Sequence, residues 1–121
     1  MGLDMFFEII PKGADPKISR FREEIAYFRK HFELHDWLKT KWCEQNQNTD
    51  AGDFNCEYLQ ITLEIVEGME KLCNKYKMSD IAYGILKSTE ENWILTQQLC
   101  QKLKNEYLYD DQVDIYYIAW W

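Results

Sequence analysis

Between residues 2 and 10 apolar and polar side chains alternate. Leu3, Met5, Phe7 and Ile9 fall on one side of an extended chain, with Asp4 and Glu8 on the other, the period-two signature of a strand with one buried face. Pro11 and Gly13 end it. From Ile18 the period changes: Ile18, Phe21, Ile25, Phe28, Phe32, His35 and Trp42 recur in helical register, and Tyr27, His31, Leu34 and Leu38 form a second stripe beside them. The pattern predicts one long helix that contacts its surroundings on more than one side.

The polar stretch 44–55 reads as a loop, and 58–61 as a short extended piece. Thr62 is placed to cap a second helix carrying Leu63, Val66, Met69, Leu72, Cys73 and Tyr76, although Gly68 within it costs about 1 kcal/mol relative to Ala. Ser88 and Glu91 have capping-box spacing and open a third helix with Trp93, Leu95, Leu99, Cys100, Leu103 and Tyr107. After the acidic turn at Asp110 and Asp111, residues 113–121 are β-branched and aromatic and predict a closing strand. One face of that strand packs on helices. The other, bearing Tyr116, Ile118 and Trp120, is either covered or left as an apolar surface. The expected fold is α+β: N- and C-terminal strands in a small sheet packed against three helices, the first long, in a single domain spanning 1–121.

A chain of 121 residues, 46% of them hydrophobic, can bury a core without metal or disulfide. Its 14 basic and 21 acidic side chains give a net charge of -7, which disfavours nonspecific attraction to nucleic acid or anionic membrane. The longest apolar run, 115–121, is far shorter than a membrane-spanning helix, and acidic Asp4 stands where a signal peptide carries basic residues. A cytoplasmic protein is expected. Cys43, Cys56, Cys73 and Cys100 are widely spaced, as expected of reduced, mostly buried thiols rather than a zinc or redox motif.

Four segments in order along the chain carry a resemblance. They are the opening Met1-Gly2-Leu3-Asp4-Met5; Glu24-Ile25-Ala26-Tyr27-Phe28-Arg29-Lys30 followed by Leu34-His35-Asp36-Trp37; Ser88-Thr89-Glu90 leading to Trp93; and Asp114-Ile115-Tyr116-Tyr117 with Trp121 at the end. Together they resemble an uncharacterised family of small bacteriophage and prophage proteins. The chain departs from that pattern before the third helix, where a Gly- and Phe-rich stretch is reduced to Tyr83-Gly84-Ile85-Leu86. The resemblance implies a phage or mobile-element origin and a host bacterial cytosol, and it brings no activity, cofactor or catalytic residue. Small phage accessory proteins often interfere with host defence, so a counter-defence role is implied by association.

His31 and His35, four residues apart, have the spacing of a metal pair on a helix, but no third ligand is placed and core histidines are the better reading. Asp4, Glu8 and Asp114 approach one another if the end strands pair, as a carboxylate cluster or simply as polar strand positions. No nucleophile motif or phosphate loop is present. Tyr27, Arg29, Lys30, His35 and Trp37 combine phosphate donors with stacking rings, and Tyr116 and Trp120 extend the set onto the closing strand. The expectation is a non-enzymatic protein, with no cofactor or metal, that sequesters a small phosphorylated or nucleotide-like molecule between the first helix and the terminal strands. The alternative is an inhibitor that binds a host defence protein through its acidic or aromatic surface. Association into a homodimer or higher homo-oligomer is expected in either case.

Overall fold

The first and last strands lie side by side because each presents an apolar row that only a helical layer can cover. A computed structural model describes residues 2–48, 50–77 and 88–121. The fold is α+β. β1 (Asp4–Pro11) is followed by β2 (Glu23–Arg29), α1 (Phe32–Asn46), a 3-10 turn at Ala51–Phe54, β3 (Leu59–Gln60), α2 (Leu63–Lys77), α3 (Glu90–Lys102) and β4 (Val113–Trp120). The strands form one antiparallel sheet in the order β2-β1-β4-β3. β1 and β4 pair along their whole length, from Asp4 opposite Trp120 to Pro11 opposite Val113.

The long helix expected from Ile18 is corrected. Residues 18–22 belong to the loop after β1, Glu23–Arg29 form strand β2, and the helix begins only at Phe32. The spacing of Ile25, Tyr27 and Phe28 fits either period over so short a span. What decides is the edge of β1, whose unpaired backbone groups are satisfied by β2 from Asp4 opposite Arg29 to Ile9 opposite Glu23, with a bulge between Phe7 and Glu8. The chain then turns at Lys30, which adopts a left-handed φ of 58° and donates its N–H to the Leu3 carbonyl at 2.8 Å. The loop expected at 44–55 is entered late, since α1 continues to Asn46 and closes on left-handed Gln47.

Thr62 caps α2 as expected, its hydroxyl accepting the Ile65 N–H at 3.3 Å. The cap of α3 moves by one residue. Thr89 accepts the Asn92 N–H at 3.1 Å, while Ser88 is drawn away to serve α1. Its hydroxyl accepts the Glu33 N–H at 3.1 Å, and its own N–H donates to the Glu33 carboxylate at 3.2 Å. This is the reciprocity of a capping box shared between two helices rather than within one. The stretch Tyr83-Gly84-Ile85-Leu86, where the chain departs from the phage pattern, lies outside the described residues. α3 widens at its end into a π-helical turn, Leu103–Tyr107, closed by the Leu108 N–H on the Leu103 carbonyl at 2.8 Å.

Met5, Phe7 and Ile9 of β1, with Ile115, Tyr117 and Ala119 of β4, form the sheet side of the core. Leu34, Leu38 and Trp42 of α1, Ile65, Val66 and Met69 of α2, and Trp93, Leu99 and Leu103 cover them. The alternate residues of the same strands face away from the helices, and that second face carries the candidate site.

Candidate functional site

Strand register sets the composition of the face turned away from the described helices. Arg29, Asp4 and Trp120 are cross-strand partners in one row, and Tyr27, Phe6 and Ile118 in the next. Phe6 lies at the centre, with ring centroids 5.1 Å from Tyr27 and 5.5 Å from Trp120. These tilted contacts, with interplanar angles of 48° and 55°, join the three rings into one aromatic platform. Tyr27 is 46% exposed and Trp120 52%, so both keep a surface toward solvent. The Tyr27 hydroxyl donates to Asp4 Oδ1 at 2.5 Å, and that bond raises its pKa, with the Arg29 charge opposing. The Arg29 guanidinium lies over Gly2, its Nη2 3.3 Å from where a β-carbon would stand. A larger residue at position 2 therefore crowds Arg29.

The other end of this face is covered. Arg22 reaches across it from the β1–β2 loop, donating from Nη1 to Glu8 at 3.2 Å and to the Tyr58 hydroxyl at 2.7 Å. Its Nη2 donates to the carbonyls of Pro16 and Ser19 at 2.6 and 2.9 Å. Tyr58 in turn meets Tyr116 edge to face at 6.0 Å. The outer face of β4 is thus divided: Ile118 is buried, Tyr116 is half-buried beneath the loop end, and Trp120 stands open.

The seven residues singled out from the sequence do not converge. Tyr27, Arg29 and Trp120 share the open end, with two neighbours: Asp4, considered from the sequence only as a carboxylate, and Phe6, not singled out there. Cross-strand register, which depends on recognising β2, is the signal that would have found them. Tyr27 and Arg29 sit on a strand and Lys30 in the turn after it, not on the helix expected. His35 lies in the core on the opposite side of the sheet, where its Nδ1 meets the Tyr117 hydroxyl at 2.7 Å and its ring stands edge-on to Trp121. Trp37 packs against Gly68 of α2 under the ammonium of Lys41.

No family model, curated protein or solved structure matches the chain. The site is therefore read from its own chemistry.

His31 is fully buried and bonded at both ring nitrogens, to Ser88 Oγ at 2.5 Å from Nδ1 and to Thr96 Oγ1 at 2.7 Å from Nε2. Thr96 donates to the Asn92 carbonyl at 2.7 Å, so it accepts from Nε2–H, and Nδ1 accepts the Ser88 hydroxyl. The neutral tautomer is thereby fixed. Burial pulls the pKa of His31 down to about 3. It does the same to His35, where the Lys39 charge adds to the effect. Among the described residues no three His, Cys, Asp or Glu side chains gather as metal ligands. No helix there is long and apolar enough to cross a membrane.

The three carboxylates considered for acid–base work are separately engaged. Asp4 holds Tyr27, Glu8 holds Arg22, and Asp114 holds Lys12 at 3.8 Å and the Gly13 N–H at 2.9 Å. Asp4 and Glu8 stand about 13 Å apart along the strand. The geometry is that of strand polar positions with local partners.

All four thiols are free. Cys73 and Cys100 are buried, and burial pushes their thiols up to about 11 and about 12. Cys56 is exposed on a left-handed turn, with φ 65°. Mostly buried thiols were expected, and Cys56 departs from that expectation. In the native protein Cys56 should react with Ellman's reagent in a fast phase, while Cys73 and Cys100 react only on unfolding. Loss of the fast phase in Cys56→Ser checks the assignment.

Proposed function

We propose that the chain is a non-enzymatic binding module that takes a planar, anionic, nucleotide-like molecule on the open end of its sheet. The observation that supports this reading is the Phe6–Tyr27–Trp120 platform with the Arg29 guanidinium in the adjoining row. A base stacks on the exposed faces of Trp120 and Tyr27, each such contact contributing about 1–3 kcal/mol, and Arg29 takes the phosphate. Asp4 serves by holding the Tyr27 hydroxyl, which fixes that ring beside Phe6 at an interplanar angle of 48°.

This revises the expected location, since the first helix contributes core rather than a ligand surface. In the phage setting implied by the sequence resemblance, the molecule would be a phosphorylated signal of the host and the effect its sequestration. Titration calorimetry with cyclic and ADP-ribose-derived nucleotides, paired with quenching of tryptophan fluorescence, tests the reading. Binding should weaken roughly tenfold or more in Trp120→Ala and Arg29→Ala. Silence across the panel, with Arg29→Ala harmless to activity in cells, overturns it in favour of a protein that inhibits a host protein through this aromatic surface.

A further inference from the structure

The β1–β2 loop, residues 12–22, presents two large apolar side chains to solvent: Ile18 is 76% exposed and Phe21 78%. The loop is braced rather than slack. Asp15 accepts the Lys17 N–H at 2.9 Å with its side chain, and its carbonyl accepts the Ser19 N–H at 2.9 Å. The Ser19 hydroxyl donates to the Phe21 carbonyl at 3.1 Å, and Arg22 ties Pro16 and Ser19 to the sheet. A preorganised loop gives up little ordering entropy on docking, so exposed apolar side chains held this way form a contact surface.

Charge selects the partner. Lys12, Lys17 and Arg22 are matched by Asp114, Glu57 and Glu8. The remaining charges of the loop are exposed Asp15 and exposed Arg20, one of each sign. In a chain of net charge -7, this is a neutral, apolar patch with its own acid and its own base, and it is self-complementary under a two-fold axis. Two acidic chains repel elsewhere, and an anionic membrane repels the body behind the loop.

We infer that the loop is a docking surface for a second copy of this chain, with Ile18 and Phe21 of each copy packed together and Arg20 of each facing Asp15 of the other. The inference is independent of the ligand reading, because the loop covers the opposite end of the sheet face from Trp120. Two apolar residues per copy make a small interface, so a micromolar association is expected.

Sedimentation velocity across the micromolar range tests it on the full chain. The wild type should move from monomer to dimer with concentration. Ile18→Ser/Phe21→Ser should keep its melting temperature and dissociate at least about tenfold more readily. Arg20→Glu, which sets two carboxylates against each other across the axis, should weaken the dimer. A wild type that stays monomeric throughout overturns the inference, as does an Ile18→Ser/Phe21→Ser variant that dimerises like the wild type. Cosedimentation of a monomeric wild type with phosphatidylcholine–phosphatidylserine vesicles, lost in the same variant, overturns it in favour of a membrane.

Discussion

Acidification from about pH 7 to about pH 5 should remove on the order of 4 kcal/mol of folding stability, about 2 from each buried histidine. His31 and His35 are held near pKa 3 in the folded chain, chiefly by burial, while in the unfolded chain they titrate near the ordinary value of 6.5. The folded pKa is the lower one, so below pH 6.5 the unfolded state binds protons that the folded state refuses. The stability is complete above about pH 6.5 and is lost progressively as pH falls toward 3. Against a typical total of about 5–15 kcal/mol, the loss at pH 5 is large. Urea unfolding at the two pH values measures it. His31→Gln and His35→Gln should each remove about half of the pH dependence whatever they do to absolute stability, and equal wild-type stability at both pH values would show that the rings are not buried neutral.

The histidines illustrate what a linear sequence conveys. Their place in the core was legible from the apolar stripes on which they fall, but their four-residue spacing did not convey their partners. His31 ends the turn before α1 and bonds residues 57 and 65 positions away, while His35 turns inward to Tyr117, 82 positions away. β1 was legible because its alternation repeats through Leu3, Met5, Phe7 and Ile9, β4 because its residues are β-branched and aromatic, and α2 because its cap and stripe agree. β2 was not, because seven residues with Ile25, Tyr27 and Phe28 satisfy a helical and an extended period equally, and the need of the β1 edge for a partner is a tertiary fact. That one misreading displaced most of the candidate site. With Ile18–Arg29 drawn as helix, Tyr27 and Arg29 were set beside His35 and Trp37, and Phe6 went unnoticed as the ring that joins Tyr27 to Trp120. The same error hid Ile18 and Phe21 in a stripe, although they are among the most exposed apolar residues of the described chain.

At Gly68 helix propensity and tertiary packing predict opposite signs for the same substitution. By propensity alone Gly68→Ala should stabilise α2 by about 1 kcal/mol. In the structure a β-carbon at that position would stand 2.4 and 2.5 Å from two ring carbons of Trp37, closer than any real contact. Trp37 cannot retreat freely, since it is half-buried in α1 with Lys41 stacked over its ring at 5.1 Å. The overpacking costs about 1–3 kcal/mol, which offsets or exceeds the propensity gain, and the wild-type background should therefore record a net loss of up to about 2 kcal/mol. In a Trp37→Ala background the obstacle is gone, so the same Gly68→Ala change should become stabilising by about 1 kcal/mol. The double-mutant cycle thus reads a coupling of roughly 1–3 kcal/mol between two helices through a single missing methyl group. Denaturant midpoints for the four chains measure it. If Gly68→Ala stabilises equally in both backgrounds, α1 does not press its indole onto the α2 backbone.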